Sequence, residues 1–109
     1  MFSNLRSLIF KFDPETAHNL AIKSLKFNFV PNVLEVDKNN PLFKTKLFNK
    51  DLENPIGMAA GFDKNAEVYN SLFKLGFGFV EVGTITPLKQ YGNPKPRVFR
   101  LVEDEALIN

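Results

Sequence analysis

The stretch Asn54-Pro-Ile-Gly-Met-Ala-Ala-Gly-Phe-Asp-Lys64, with the apolar segment Phe79-Val-Glu-Val82 that follows it, decides the fold. Residues 56–60 form a short apolar run that leads into a glycine, which predicts a buried strand. Residues 67–75 carry apolar side chains at helical spacing, and residues 79–82 predict a second strand that ends at Gly83. Strand, helix and strand within about thirty residues indicate a parallel crossover, and therefore an α/β fold.

Two loops follow the predicted strands, and both carry groups that can bind ligands. In parallel α/β folds, ligands bind at the carboxyl ends of the strands. The small residues 59–61 remove side-chain bulk where a flat ring could approach the backbone, Lys64 supplies a cation, and Thr84 supplies a hydroxyl group. A tight turn and a solvated lysine fit the same pattern. Asp63 has a structural alternative too, as a cap for the helix predicted at residues 67–75.

Common cofactor and metal motifs are missing from the sequence. It has neither the GxGxxG fingerprint of dinucleotide-binding folds nor the GxxxxGK[ST] phosphate loop. It also has no cysteine, which removes disulfides, cysteine nucleophiles and thiolate metal ligands. His18 is the only histidine, so no zinc site is expected. Taken alone, His18 is typical of a core or surface histidine.

Composition and charge exclude several classes of protein. The 109 residues are 44% hydrophobic and 24% charged, which is typical of a globular chain and not of a disordered one. The net charge of +2 is too small to indicate nucleic acid as a partner. No run approaches the roughly 18 consecutive apolar residues of a membrane-spanning helix. Residues 1–12 lack the cleavage site of a signal peptide and are interpreted as retained structure.

Two amphipathic helices are predicted at the start of the chain. Residues 2–12 place apolar side chains at spacings of three and four. Asp13 suits the cap, and Pro14 the first position, of a second helix predicted at residues 14–26. The apolar faces fit two interpretations, which are packing on the rest of the protein and partial burial in a bilayer surface.

The helical periodicity ends after the second helix. Residues 27–41 mix asparagine, proline and charges, which predicts a linker and a domain boundary. We therefore assign residues 1–40 to an N-terminal helical segment with its linker, and residues 41–109 to the α/β part. Short β-hairpins are predicted at residues 45–52 and 98–108.

Several motifs in the same order resemble class 2 dihydroorotate dehydrogenase, the quinone-linked, membrane-associated flavoenzyme of pyrimidine synthesis. They are the run at residues 54–64, the run Leu75-Gly-Phe-Gly-Phe-Val-Glu-Val-Gly-Thr-Ile-Thr-Pro87, and the run Gly92-Asn-Pro-Lys-Pro-Arg-Val-Phe-Arg-Leu101 followed by Ala106-Leu-Ile-Asn109. The segment Asp13-Pro-Glu-Thr-Ala-His18 resembles that family's N-terminal extension. The resemblance implies the N-terminal part of a (β/α)8 TIM barrel, preceded by a two-helix amphipathic hood.

The resemblance also implies roles for individual residues. Lys64 and Asn109 match family positions that bind substrate. His18 and Arg100 match positions that line the quinone channel. The family's catalytic base is a serine beyond residue 109, so no catalytic residue is assigned in this chain, and no metal is implied. Six residues match the region that contacts FMN: Ala60, Gly61, Phe62, Asp63, Lys64 and Thr84.

The expected protein is an N-terminal fragment, inactive alone, of an FMN enzyme that oxidises (S)-dihydroorotate to orotate and reduces a membrane quinone. Residues 1–30 are expected to attach it peripherally to the cytoplasmic side of the bacterial inner membrane. The sequence leaves two alternatives open. A related flavin barrel oxidoreductase with a soluble acceptor has no use for residues 1–30. A non-catalytic membrane-surface module predicts that the chain folds cooperatively without FMN.

Overall fold

The computed structural model describes residues 2–28 and 40–109, so most of the predicted linker lies outside the described residues. The chain divides into two compact units: unit 1 comprises Met1–Ala21 and Thr86–Asn109, and unit 2 comprises Ile22–Ile85. The elements in chain order are α1 (Phe2–Ile9), α2 (Pro14–Lys26), a short 3-10 helix (Pro41–Phe43), β1 (Thr45–Leu47), β2 (Lys50–Leu52), β3 (Gly57–Met58), α3 (Tyr69–Lys74), β4 (Phe79–Val80), β5 (Phe99–Leu101) and β6 (Ala106–Ile108).

Unit 2 contains the parallel crossover that the sequence predicts. β3 and β4 pair in parallel with Gly57 opposite Phe79, and α3 connects them. The backbone N–H of Glu81 donates to the carbonyl of Met58 at 2.9 Å, which continues the pairing beyond β4. The predicted α/β character of this region is therefore confirmed.

Both strands of the crossover are shorter than the predicted runs at residues 56–60 and 79–82. Alanine has a weak preference for strands, so residues 59 and 60 do not extend β3. Gly61 and Gly83 then adopt φ angles of +102° and +125°, which turn the backbone out of the extended conformation. Each strand therefore gives way to a loop within a few residues.

The core of unit 2 lies between the end of α2 and α3. Leu25, Val68 and Leu72 are at most 8% exposed, and Leu72 is completely buried. Fully burying a side chain of this size contributes about 1.5 to 3 kcal/mol. This core confirms the apolar face predicted for residues 67–75. Partly buried hydrophobic residues pack around it: Ile22, Met58, Phe62, Leu75, Phe77 and Val80.

Polar contacts also hold the end of α2 against α3. The buried hydroxyl of Ser71 donates to the carbonyl of Leu25 at 2.8 Å, which satisfies an acceptor near the helix end. Lys26 forms an ion pair with Glu67, and this contact lowers the pKa of Glu67 below its ordinary value of 4.5.

The two predicted hairpins are present. β1 and β2 pair antiparallel in unit 2 with Thr45 opposite Leu52. β5 and β6 pair antiparallel in unit 1 with Phe99 opposite Ile108. Each hairpin has a short turn between strands of three residues, so both stay local to their unit.

The start of α2 agrees with the sequence-based prediction, whereas the end of α1 does not. α2 begins at Pro14 as predicted, and the Asp13 carboxylate accepts the backbone N–H of Glu15 at 2.9 Å, as an N-cap does. α1 ends at Ile9, three residues before the predicted end. Pro14 disfavours helical geometry at the residue before it, so the chain must leave the helix before α2 begins.

Candidate functional site

The loops after β3 and β4 lie side by side in unit 2. The backbone N–H of Gly61 donates to the carbonyl of Gly83 at 3.0 Å, and the N–H of Gly83 donates to the carbonyl of Asp63 at 3.1 Å. These reciprocal bonds hold the two loops together beyond the carboxyl ends of their strands. Residues 59–64 and 83–84 therefore form the edge of the sheet at which the sequence predicts ligand binding.

The first loop presents backbone with little side-chain cover. Ala59 and Ala60 are exposed. A Cβ atom built on Gly61 would meet no atom within 4 Å, so the space in front of this residue is open. Its φ of +102° is a conformation that glycine adopts without strain. This exposed strip at residues 59–61, which we call the small-residue shelf, can accept a planar group against the backbone.

The Asp63 carboxylate binds backbone N–H groups of the chain itself. Its side chain is 1% exposed, and its two carboxylate oxygens accept the backbone N–H groups of Glu67 and Val68, both at 2.8 Å. These donors lie just ahead of α3, where helical N–H groups have no partner within the helix. Asp63 therefore fastens the loop to the start of α3, and the carbonyl of the same residue holds Gly83. Contact between Asp63 and a cofactor stays a prediction.

Three more predicted cofactor-binding residues lie on these two loops, one packed against the core and two exposed. Phe62 is half-buried and packs against the core of unit 2. Lys64 and Thr84 are exposed, and among the described residues no carboxylate lies within ion-pair distance of the Lys64 ammonium. The structure thus leaves a cation and a hydroxyl group accessible beside the small-residue shelf.

The residues that pack closely around the start of the crossover were not predicted from the sequence. The Asn54 side chain donates to the carbonyl of Gly76 at 2.9 Å and accepts the N–H of Ile56 at 3.0 Å. A Cβ atom on Gly78 would collide with the backbone carbonyl of Asn54, and one on Gly57 would collide with the Phe79 ring. Asn54-Pro55 and the paired glycines at 76 and 78 were the signals available for this close packing.

In unit 1, Arg100 contacts the connection between α1 and α2. Its guanidinium donates to the carbonyl of Phe12 at 2.7 Å and lies 4.6 Å from the centroid of the Phe10 ring. Arg6 lies over the same ring at 5.0 Å. A guanidinium over an aromatic ring is attracted to it electrostatically. Arg100 therefore fastens the predicted hood segment to β5.

Arg97 makes a second connection of the same kind. Its Nη2 donates to Glu15 Oε1 at 2.6 Å and its Nε to Glu15 Oε2 at 3.3 Å. These hydrogen bonds, with a smaller contribution from Lys95, lower the pKa of Glu15 from its ordinary value of 4.5 to about 2. The pKa of Arg97 is raised by the same partner. Glu15 therefore stays charged throughout the neutral and mildly acidic range.

The other site residues predicted for unit 1 lie on different elements. His18 is half-buried on α2, one turn after Glu15. Asn109 is exposed and directly follows β6. The structure thus brings Arg100 to the connection between α1 and α2, within the predicted hood segment, and places Asn109 next to a hairpin strand. The binding roles of His18, Arg100 and Asn109 stay predictions.

The part of the chain that the structure describes contains neither a candidate metal centre nor a membrane-crossing helix. Within residues 2–28 and 40–109, no three His, Asp or Glu side chains are grouped as metal ligands would be. In the same residues, no helix has the length and hydrophobicity to cross a bilayer.

Comparison with known sequences identifies similar proteins. A sequence model of the family described as dihydroorotate dehydrogenase matches residues 42–109. A protein of Rhizobium etli named dihydroorotate dehydrogenase (quinone) is 55% identical over 101 residues, which are 93% of this chain and 27% of that protein. A protein of the same name from Azorhizobium caulinodans is 49% identical over 109 residues, which are 100% of this chain and 30% of that protein. The chain therefore spans less than a third of the length of these relatives.

Solved structures give the same result. The chain is similar to the crystal structure of Eimeria tenella DHODH in complex with ferulenol, with a TM-score of 0.81 and 49% identity. This match covers 89% of this chain and 25% of the Eimeria chain. The ligand-free type of the same Eimeria protein matches with a TM-score of 0.80 and the same 49% identity.

Proposed function

Since the chain belongs to the dihydroorotate dehydrogenase family, we propose that it supplies the first part of a quinone-dependent dihydroorotate dehydrogenase. The complete enzyme would oxidise (S)-dihydroorotate to orotate on FMN and reduce a membrane quinone. In that enzyme β3, α3 and β4 are the beginning of the (β/α)8 barrel. The relatives named for the quinone reaction cover nearly the whole of this chain and support this assignment.

One observation carries the cofactor part of the proposal. The small-residue shelf and Thr84 follow two adjacent parallel strands, and reciprocal backbone hydrogen bonds hold the loops that carry them together. Ligands of barrel enzymes bind at this end of the strands. The open space in front of Gly61 fits a planar ring. When bound there, FMN supplies an acceptor for hydride and a donor of electrons to the quinone.

The chain's own residues would bind and orient the reactants. Ala60 and Gly61 let the ring approach the backbone, while Thr84 offers a hydroxyl group to the same face. The Lys64 ammonium would bind the negative charge of the substrate, and Asn109 would donate and accept hydrogen bonds to it. Orientation of this kind lowers the barrier because the reactants no longer have to find one another. No catalytic base is assigned to this chain.

The quinone part of the proposal concerns unit 1. His18 and Arg100 would line the path of the quinone, and residues 1–30 would lie in the surface of the membrane. The exposed side chains of α1 and its connection to α2 support this, because Leu8, Phe10 and Phe12 are 55%, 41% and 45% exposed. Apolar burial and attraction of basic residues to anionic lipid add at such a surface. We propose that the enzyme lies peripherally on the cytoplasmic side of the bacterial inner membrane.

Lys64 provides the test of this function. We define the hybrid enzyme as the Azorhizobium caulinodans relative in which the aligned stretch is replaced by residues 1–109. In the hybrid enzyme, Lys64→Ala is expected to lower kcat/KM for dihydroorotate by about 100-fold or more, since the substrate loses its charged partner. Lys50→Ala removes another exposed lysine of unit 2 and should leave turnover unchanged.

Two outcomes would contradict the proposal. Equal turnover in the Lys64→Ala and Lys50→Ala variants would remove Lys64 from the substrate site. Failure of the unsubstituted hybrid enzyme to reduce any quinone with dihydroorotate, while it transfers electrons to a soluble acceptor, would favour the soluble-acceptor class of flavin enzyme.

A further inference from the structure

The Arg97 guanidinium donates four hydrogen bonds, two to a carboxylate and two to backbone carbonyls. Its Nε and Nη2 form the two-pronged contact with Glu15, while Nη1 donates to the carbonyls of Tyr91 at 2.8 Å and Asn93 at 3.2 Å. One guanidinium therefore holds a side chain of α2 and the backbone ahead of β5. Only arginine offers donors in this rigid fork, because the lysine ammonium is a point charge.

The chain around Arg97 is shaped to receive this side chain. Gly92 has a φ of +75°, and a Cβ atom at that position would collide with Nη1 of Arg97. Glycine at residue 92 therefore suits the backbone conformation and also lets the guanidinium approach closely. The carbonyls on either side of Gly92 are the ones that accept from Nη1. The segment at residues 91–93 is thus wrapped around the guanidinium.

The contact with Glu15 is largely withdrawn from solvent. The side chains of Arg97 and Glu15 are 25% and 21% exposed, whereas the second cation on Glu15, Lys95, is 65% exposed. Charge-assisted, two-pronged pairs of arginine and carboxylate fix geometry as well as contributing free energy. This pair therefore determines where the first turn of α2 lies relative to Arg97 and the segment just before β5.

Both predicted quinone-channel residues lie three positions from a member of this pair. His18 follows Glu15 by three residues on α2, so the two side chains share a helix face. Arg100 follows Arg97 by three residues and holds the carbonyls of Phe10 and Phe12, just ahead of α2. A change in the Arg97–Glu15 contact would therefore move His18 relative to Arg100.

We propose that Arg97 and Glu15 are a positioning pair for the electron acceptor. Their contact holds α2 against the segment before β5, so that His18 and Arg100 keep the separation that the quinone requires. Neither residue takes part in the chemistry at the substrate. The inference rests on the proposed function, because it assigns the pair to the quinone step of that reaction.

The test separates the two half-reactions of the hybrid enzyme. Arg97→Met, Glu15→Gln and the double variant are assayed for flavin reduction by dihydroorotate and for steady-state reduction of decylubiquinone. The single variants should raise KM for the quinone roughly 5- to 20-fold, the factor expected from loss of one charge-assisted contact. Flavin reduction by dihydroorotate should change by less than about twofold, because the loops of unit 2 are unaltered.

Further variants separate positioning from general stability. The double variant should raise KM no more than the more damaging single variant, because both substitutions remove the same contact. Arg97→Lys should fail to restore the low KM, since lysine cannot form the two-pronged contact. Lys46→Met is the control, because it removes an ion pair with Asp51 whose side chains are 76% and 85% exposed. This control should leave KM for the quinone unchanged.

Each result has a distinct meaning. An unchanged quinone KM in Arg97→Met and Glu15→Gln would overturn the inference and leave the proposed function intact. Equal losses of flavin reduction and quinone reduction would also overturn it, because the pair would then act only on stability. If Arg97→Met does not fold, Glu15→Gln supplies the same comparison, because glutamine keeps the shape of the glutamate side chain and removes only its charge. If the unsubstituted hybrid enzyme does not reduce its flavin with dihydroorotate, the proposed function fails, and the inference fails with it.

Discussion

The interactions that stabilise unit 1 internally differ from those within unit 2. In unit 2, Leu25, Val68 and Leu72 are buried, and backbone hydrogen bonds join the two site loops. Among the described side chains of unit 1, none is buried, and guanidinium contacts from Arg97 and Arg100 make its long-range connections. Apolar burial is insensitive to pH, whereas charged contacts in partial solvent depend on it. Unit 2 is therefore stabilised mainly by apolar burial, and unit 1 more by contacts that depend on pH.

The difference matches the chemistry proposed for each unit. A flavin and its substrate need groups held to within a fraction of an ångström, which a packed crossover can provide. A long apolar quinone needs an apolar path that it can enter and leave. The exposed hydrophobic residues of unit 1 fit that requirement: Leu8, Ile9, Phe10, Phe12 and Leu20.

The largest expected loss of stability comes from truncating a buried leucine of unit 2, and an exposed leucine of unit 1 provides the contrast. Leu72→Ala in unit 2 removes a completely buried side chain and should lower the free energy of unfolding by about 2 to 5 kcal/mol. Leu20→Ala in unit 1 removes a side chain that is 47% exposed and should cost less than about 1 kcal/mol. Urea denaturation of the hybrid enzyme measures both. Equal losses would contradict the difference between the units.

Two capping aspartates give the next comparison. Asp63→Ala leaves the buried N–H of Val68 and the partly buried N–H of Glu67 without a partner and should cost about 2 to 4 kcal/mol. Asp13→Ala removes an exposed cap of α2, and the expected cost is about 1 kcal/mol. The same denaturation experiment ranks them. A smaller loss for Asp63→Ala than for Asp13→Ala would show that burial does not strengthen the cap.

Gly61 separates backbone strain from cofactor binding. Gly61→Ala should cost about 1 to 2 kcal/mol of stability, because an L side chain is strained at its positive φ. Gly76→Ala is the matched control, since Gly76 has the same φ of +102° and lies outside the site loops. Only Gly61→Ala should also weaken FMN binding to the hybrid enzyme, measured by titration of the apoprotein. Equal affinity for FMN in both variants would place the flavin away from the small-residue shelf.

The smallest expected effect in unit 1 is a dependence of its stability on acid pH. Because folding lowers the pKa of Glu15 from 4.5 to about 2, its charged form stabilises the fold fully above pH 4.5. This contribution is lost as the pH falls toward 2 and Glu15 takes up a proton. Glu15 faces Arg97 and Lys95, with Asp13 two residues away. Glu15→Gln should flatten the stability profile in this window.

The acid experiment also has a counterpart in unit 2. Glu67→Gln removes a carboxylate whose pKa is lowered mainly by Lys26. It should also flatten the profile below pH 4.5, and its effect should add to that of Glu15→Gln because the two ion pairs share no partner. A profile that Glu15→Gln leaves unchanged would mean that Arg97 does not hold Glu15 in solution.

Local signals in the sequence predicted most of the fold. Asp13-Pro14 marked the start of α2, and the apolar spacing at residues 67–75 identified the buried face of α3. The small residues at 59–61 marked the open edge of the first site loop. These features depend on neighbours within a few positions, so residue type and spacing determine them.

Contacts between distant residues could not be predicted in the same way. Arg97 and Glu15 are 82 positions apart, and the chain has 14 basic and 12 acidic residues, so charge alone does not select this pair. The sequence allowed Asp63 both a capping and a cofactor role, and only the position of α3 makes it a cap with two acceptors. The early end of α1 depends on the geometry of the turn into α2.

We propose that these residues form the flavin-facing start of a quinone-dependent dihydroorotate dehydrogenase. The decisive experiment is anaerobic mixing of the hybrid enzyme with dihydroorotate, followed by addition of decylubiquinone. The enzyme should retain about one FMN per chain, dihydroorotate should bleach the flavin, and the quinone should restore its colour. A hybrid enzyme that folds but holds no FMN, or whose flavin dihydroorotate does not reduce, would contradict the claim.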